Sequence, residues 1–365
     1  MNRQYTHKGR GQEKPVFPRK KLSFLAVMLI LIGIAAGTAA IALILSRGNS
    51  AEKLFSYQQL LMDTDVSLQL YSGSSREAEE VKEDLFKEMS RLELLLSCTE
   101  SSSEVTIINR AAGEGPVQVG PETAEVIEKA IHYARLSEGA FDPTIGPLLD
   151  IWGFRGEANR VPEPVEIEAA AALVDYSLME NDYAAGKVFL PSSGMALDLG
   201  GIAKGYIVDR GLELLARSGI GHALLNAGGD IGILGPKPDG SPWRIGVKHP
   251  RRDDELIAVI SWLKKGAVVT SGDYERFFEE DGERYHHILD PRTGYPARNL
   301  LSATVVAPTA IEADALSTAL FVMGPQRGLE LVESLPGVEA ILVTPQLELL
   351  ISSGLQDCVE LPGES

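Results

Sequence analysis

The segment LDLGGIAKGY, residues 197–206, has the residue types of an anion-binding turn. An apolar strand is predicted to end at Gly200 and Gly201, and a helix to follow at once. The first turn of such a helix offers free N–H groups, and glycine lets a ligand approach the backbone. Lys204 falls in that turn, where a cation is disfavoured unless an anion lies close. A plain tight turn explains the same residues equally well, because the spacing matches neither GxxxxGKS/T nor GxGxxG.

A carboxylate and a hydroxyl lie four residues apart in the segment AIEADALSTALFVMG, residues 310–324. In a helix this spacing puts Asp314 and Thr318 on one face. Both are hard oxygen donors, which suit magnesium when water and substrate phosphates complete its coordination. The residues alone favour the plainer interpretation, in which Asp314 is a first-turn acid and Thr318 packs in an amphipathic helix.

Polar residues are concentrated in SGDYERFFEEDGERYHHILDPRTGYP, residues 271–296. Histidine is the usual proton carrier near neutral pH, and His286 and His287 are adjacent here. In a strand their side chains point to opposite faces, so only one of them faces a site. A polar hairpin with one packed histidine remains the alternative. A second glycine pair, in NAGGDI at residues 226–231, indicates another loop at a strand end.

Hydrophobic periodicity predicts the elements that must position these residues. Helices are predicted at 77–97, 121–137, 164–174, 202–217, 312–323 and 326–334. Strands are predicted at 66–71, 195–199, 223–226, 244–247, 257–261, 267–270, 302–307, 338–343 and 347–352. Their irregular mixture predicts an α+β fold, with a mixed sheet and flanking helices.

Charge is distributed unevenly along the 365 residues. The net charge is −17, yet residues 1–50 contain eight Lys or Arg and one acid and so carry +7, which leaves −24 for the rest. A body this acidic repels nucleic acid. A phosphate ligand must therefore be bound locally, by a metal, a helix N-terminus or a few basic residues. The two cysteines, Cys98 and Cys358, indicate neither a metal cluster nor a disulfide framework.

The N-terminal region predicts a membrane anchor. The stretch Ser23–Ser46 is uncharged and follows Arg19, Lys20 and Lys21. As a helix it would span about 36 Å, enough for a hydrocarbon core of about 30 Å. The flanking charges predict a cytoplasmic segment at 1–21, a transmembrane helix at 22–46 and an outward-facing body. A cleaved signal peptide is the alternative.

Taken together and in this order, these segments resemble the signatures of the ApbE family of FAD:protein FMN transferases. A fifth segment, GAFDPTIGPLLDIWGF at residues 139–154, resembles the family as well. The resemblance extends from about Met62 to the end of the body. It implies an ApbE-like fold for a flavin transferase domain at 57–362, joined to the transmembrane helix by a linker at 47–56.

The resemblance also implies roles for individual residues. The positions that match cofactor-binding residues are Met62, Ala140, Phe141, Asp142, Asp198, Lys204 and Ile288. The carbonyl of Gly201 with Asp314 and Thr318 matches a magnesium site, and the matching catalytic residues are His287, as base, and Asp314. The chain departs from the family at Thr99, which occupies a usual aromatic position.

The function implied by this resemblance is the Mg²⁺-dependent transfer of FMN from FAD to a Thr or Ser hydroxyl of another protein, with release of AMP. The expected partners are FAD, the membrane and acceptor proteins of membrane redox complexes, and the expected location is the cell membrane, with the catalytic domain outside. A Mg²⁺-dependent FAD pyrophosphatase is the competing enzyme that would use the same residues. A non-enzymatic FAD-binding envelope protein and a redox flavoenzyme are the two competing functions from different classes.

Overall fold

A computed structural model describes residues 52–156 and 158–362 of the chain. The predicted cytoplasmic and transmembrane segments, residues 1–46, lie outside these ranges. Among the helices within the ranges, none is both long enough and apolar enough to cross a bilayer.

The described residues form sixteen strands and eight helices. The strands are β1 (Lys53–Leu61), β2 (Thr64–Ser72), β3 (Val117–Gln118), β4 (Glu180–Asp182), β5 (Lys187–Phe189), β6 (Ala223–Ala227), β7 (Asp230–Leu234), β8 (Trp243–Lys248), β9 (Leu256–Trp262), β10 (Gly266–Gly272), β11 (Phe277–Glu280), β12 (Glu283–His286), β13 (Ser302–Ala307), β14 (Glu339–Val343), β15 (Leu349–Ile351) and β16 (Val359–Glu360). The helices are α1 (Ser75–Leu96), α2 (Glu104–Arg110), α3 (Pro121–Leu136), α4 (Gly146–Trp152), α5 (Pro164–Ala171), α6 (Ala203–Arg217), α7 (Ala310–Met323) and α8 (Pro325–Ser334).

An eight-stranded sheet, in the order β1-β2-β6-β7-β10-β13-β14-β15, organises the fold. All seven neighbouring pairs in it are antiparallel. The α+β class is therefore confirmed, whereas the sheet is antiparallel instead of mixed. Two-residue turns join β1 to β2 and β6 to β7, a connection that only antiparallel strands permit.

The sheet separates two hydrophobic cores. Because side chains alternate along a strand, Val305 packs into the main core with the helices, and Val306 packs on the opposite face. The small sheet β16-β9-β8 covers that opposite face with residues such as Trp243 and Ile260. The helical face carries α6 and α7, and α7 contains two of the three predicted metal ligands, Asp314 and Thr318.

All six predicted helices are confirmed, with ends that agree within three residues. The predicted linker is wrong from residue 53 onward, because residues 53–56 begin β1 and pair with β2. The predicted strand at 195–199 forms only one bridge, from Ala196 to Ile145. An amide side chain replaces its strand partner: Asn109 accepts the N–H of Leu197 at 2.6 Å and donates to its carbonyl at 2.9 Å.

Candidate active site at the glycine turn

The glycine turn lies directly against the helix that carries the predicted metal ligands. The N–H of Gly200 donates to the carboxylate of Asp198 at 2.8 Å. A Cβ atom on Gly201 would lie 3.1 Å from the hydroxyl of Thr318 and 3.2 Å from the ring of Phe141. A side chain at position 201 would therefore crowd Thr318 and Phe141, and the structure brings together three residues that the sequence predicts to share a site.

Helices α6 and α7 approach closely at a second glycine. A Cβ atom on Gly205 would lie only 2.3 Å from the carbonyl oxygen of Ala310, so any other residue would push the helices apart. The same Gly205 donates its N–H to a carboxylate oxygen of Asp314 at 2.9 Å. This contact fixes Asp314 beside the first turn of α6.

Two buried carboxylates and one ammonium group form the charged centre of the site. Lys204, on α6, pairs with Asp230, the first residue of β7, at 2.7 Å. Asp230 is 1% exposed and Asp314 is 3% exposed. Burial raises the pKa of Asp314, the charge of Asp230 raises it further, and Lys204 opposes the increase. With both carboxylates ionised, these three groups carry one net negative charge.

The same charges act on Lys204. Burial disfavours its ammonium group, but Asp230 and Asp314 outweigh that effect and raise its pKa. The carboxylates of Asp230 and Asp314 thus stabilise the charged form of Lys204 in the first turn of α6. Sequence reasoning assigned no role to Asp230, although its position directly after the Gly228–Gly229 turn of NAGGDI was a usable signal.

The donor set fits a hard divalent cation. No group of three or more His, Cys, Asp or Glu side chains in the described ranges is arranged to hold a metal. Carboxylate, hydroxyl and carbonyl oxygens are available from Asp314, Thr318 and Gly201, and this limited set suits Mg²⁺, which keeps water and substrate phosphates in its shell. Ser271, which sequence reasoning also missed, lies 3.3 Å from the Thr318 hydroxyl.

His286 is a core residue. It is 4% exposed, its ring lies 5.4 Å from that of Phe321 in an edge-on arrangement, and its Nε2 donates to the carbonyl of Ala297 at 2.8 Å. Its Nδ1 accepts the N–H of Ile288 at 3.3 Å. Burial lowers the pKa of His286 to about 4. His286 therefore lies in the core, and His287 stays the predicted base.

His287 has a defined tautomer. Its Nδ1 lies 3.2 Å from the carbonyl oxygen of Arg276, which only accepts, so Nδ1 carries the hydrogen. Nε2 is left with a lone pair that can take up a proton. Burial and the neighbouring Arg276 charge lower the pKa of His287 to about 3. The ring is thus neutral before reaction at ordinary pH.

Three predicted cofactor-binding residues are also tied into the protein. The carboxylate of Asp142 accepts from the N–H of Thr144 at 2.8 Å and from the N–H of Tyr176 at 3.1 Å, so it orders its own loop. Asp198 pairs with Arg155 at 3.4 Å. Met62 lies in the turn between β1 and β2 with a positive φ of 54°, and its N–H donates to the carboxylate of Glu93 at 2.8 Å.

Ala140, Phe141 and Ile288 present no polar side chain and are buried. Phe141 lies beside Gly201, whereas Ile288 follows the two histidines after β12. The site thus gathers residues from α6, α7, the start of β7 and the loop before α4.

Comparison with known proteins gives consistent matches. The sequence model described as the ApbE family matches residues 62–342. An FAD:protein FMN transferase of Klebsiella pneumoniae (strain 342) is 38% identical over 305 residues, which is 83% of this chain and 93% of the relative. An FAD:protein FMN transferase of Treponema pallidum (strain Nichols) is 34% identical over 331 residues, 86% of this chain and 91% of the relative. The crystal structure of the ApbE protein of Thermotoga maritima superposes with a TM-score of 0.78 at 39% identity, covering 84% of this chain and 99% of that one.

Proposed function

We propose that the chain, which belongs to the ApbE family, is an FAD:protein FMN transferase that works at the glycine turn and the buried carboxylates. The finer features of this proposal are a magnesium ion, a Thr or Ser hydroxyl as acceptor, and AMP as the leaving group. The observation that carries it is the pair Asp230 and Asp314, buried together with the single ammonium group of Lys204. A divalent cation bound here with the FAD diphosphate would keep both carboxylates ionised, and their one net negative charge suits it.

The reaction exchanges one phosphorus–oxygen bond for another. The acceptor oxygen attacks the phosphorus of the FMN half of FAD, the bond to the AMP half breaks, and AMP leaves with the electron pair. A bound magnesium ion supplies charge neutralisation for the diphosphate. Gly200 and Gly201 let the phosphates approach the N-terminus of α6, where the helix dipole favours anions.

The proton of the acceptor hydroxyl needs a base within the chain. His287 is the first candidate, because its Nε2 carries a free lone pair while Nδ1 is held by the Arg276 carbonyl. Asp314 is the second candidate. Its contact with the Gly205 N–H leaves further lone pairs on the carboxylate, which the metal uses in this proposal.

The test is reconstitution of the transfer. Purified full-length protein is incubated with FAD, Mg²⁺ and candidate subunits of membrane redox complexes, and the products are examined by in-gel flavin fluorescence and intact mass. The expected acceptor gains one FMN, AMP appears in equal amount, and EDTA stops both. An acceptor whose target Thr or Ser is changed to Ala is the matched control. Transfer that proceeds unchanged in EDTA would remove the metal from the proposal.

Two competing functions give different products in the same experiment. An FAD pyrophosphatase releases free FMN and AMP at the same rate whether or not an acceptor is present. A non-enzymatic FAD-binding protein releases neither, although it retains FAD through gel filtration. The pyrophosphatase is the closer competitor, since it would use the same residues with water as the acceptor.

The membrane location is the remaining part of the proposal. It rests on the uncharged stretch Ser23–Ser46 and on the basic residues that precede it. Membrane redox subunits are the acceptors that an anchored, outward-facing enzyme would meet. N-terminal sequencing of protein extracted from membranes tests the anchor, and a mature chain that begins near Ala51 would contradict it.

A further inference from the structure

An aspartate on one helix caps the start of another. Asp209, in the middle of α6, accepts the N–H of Ala310 at 2.8 Å and the N–H of Ile311 at 2.9 Å. These are the first two residues of α7, and the residue before them, Thr309, makes no capping bond with its own side chain. Since the first N–H groups of a helix have no partner within it, the cap of α7 comes from α6.

The same two helices touch at a second point. One turn before Asp209, the N–H of Gly205 donates to Asp314, which lies one turn after Ala310. Gly205 itself lies against the carbonyl of Ala310. The two contacts act on successive turns of both helices, so α7 cannot slide along α6 without breaking both.

We infer that Asp209 is a positioning residue for the metal site, because it fixes α7 on α6 and thereby the separation of the Gly201 carbonyl from Asp314 and Thr318. This inference rests on the magnesium site of the proposed function. Gly201 belongs to the turn that begins α6, whereas Asp314 and Thr318 belong to α7. Metal ligands on two separate elements keep their geometry only if the elements are held in register.

Opposing effects act on the charge of Asp209. Burial raises the pKa of its carboxyl to about 6, and the two N–H bonds from α7 oppose that increase. Glu213, on the next turn of α6, raises it further, and Lys265 opposes it. The two N–H groups donate to different oxygens of the Asp209 carboxylate, whereas an amide side chain has only one oxygen.

The experiment compares metal binding in Asp209→Asn and Asp209→Ala with that of the parent, using the full-length protein and Mn²⁺ as the probe. Free Mn²⁺ is titrated by EPR at pH 7.5, and FAD binding is measured by fluorescence in EDTA. Loss of a residue that orients metal ligands typically weakens metal binding by ~10–100-fold. We expect a weakening of that size in both variants, with FAD binding in EDTA unchanged.

Two control variants separate positioning from general damage. Ser74→Ala removes the side-chain cap of α1, which accepts from the N–H of Glu77, and so reports the effect of losing a helix cap elsewhere. Glu213→Gln removes an exposed carboxylate one turn from Asp209. Both should bind Mn²⁺ as the parent does.

The outcomes are distinct. Parent-like Mn²⁺ binding in folded Asp209→Ala and Asp209→Asn overturns the positioning role and leaves the proposed function intact. If the alanine variant does not fold, the asparagine variant alone decides. Weakening of the same size in Ser74→Ala also overturns the role, since any lost cap would then suffice. A parent protein that binds no Mn²⁺ overturns the metal site itself, and the role with it.

Discussion

Replacing His286 by glutamine should make the protein less sensitive to acid, by an amount that follows from the structure. The neutral ring donates from Nε2 to Ala297 and accepts at Nδ1 from Ile288. A second proton would have to sit on Nδ1, facing an N–H group in a buried site. Glutamine offers one donor and one acceptor at the same place and does not titrate.

The magnitude comes from the pKa of His286, which burial lowers from 6.5 to about 4. As the pH falls below about 6.5, the unfolded chain takes up the proton and the folded chain does not, so acid favours unfolding. Above this pH the ring is neutral in both states, and its titration does not lower the free energy of unfolding. At lower pH the free energy of unfolding falls, by about 2 kcal/mol at pH 5 and about 3 kcal/mol at pH 4.

Urea unfolding of the full-length protein at steps between pH 8 and pH 4 measures this effect. The lost packing against Phe321 should lower the stability of His286→Gln equally at every pH. Because only the parent loses stability in acid, the difference in the free energy of unfolding between parent and variant should become smaller by about 3 kcal/mol at pH 4. The same substitution at His132, which is exposed, is the control. Parallel curves for parent and His286→Gln would refute the assignment of His286 to the core.

The remaining predictions concern the reaction and its charged centre. His287→Ala should lower the transfer rate by ~10²–10⁴, the usual effect of losing a general base, while FAD binding measured by fluorescence persists. If His286→Gln lowers the transfer rate more than His287→Ala does, His286 is the base instead. Because the pKa of His287 is lowered to about 3, the rate–pH profile of the parent should show no histidine limb near pH 6.5. Asp314→Ala should abolish EDTA-sensitive transfer in a protein that still unfolds cooperatively, and retained transfer would exclude Asp314 as a ligand. Lys204→Met should lower the free energy of unfolding measured with urea by ~3–5 kcal/mol, because it leaves Asp230 buried and unpaired. Adding Asp230→Asn should restore part of that stability. A loss below ~1 kcal/mol would show that water already screens the ion pair.

Local spacing determined much of this protein in advance. Asp314 and Thr318 share a face because they are four apart in a helix, and that helix, apolar on nearly all sides, ends at Gly324. The glycine turn at Gly200 and Gly201 is likewise a matter of adjacent residues. The order of five such segments was enough to indicate the ApbE family, which the comparisons then confirmed.

Contacts between residues that are far apart in the chain could not be predicted from the sequence. Asp230 meets Lys204 across 26 residues and Asp209 meets Ala310 across 101 residues, and no periodicity relates them. The strand predicted at 195–199 failed for the same reason, since the side chain of Asn109 occupies the place of a neighbouring strand.

For the two histidines, the sequence predicts one feature and only the tertiary structure decides the other. Alternation along the chain predicts that His286 and His287 face opposite ways, because the side-chain period of a strand is two. Which of them enters the core depends on Phe321 and Ala297, which come from an adjacent helix and loop. The alternation of adjacent side chains depends only on neighbouring residues. Which side of the strand is buried depends on apolar residues that are distant in sequence and meet only in the folded protein.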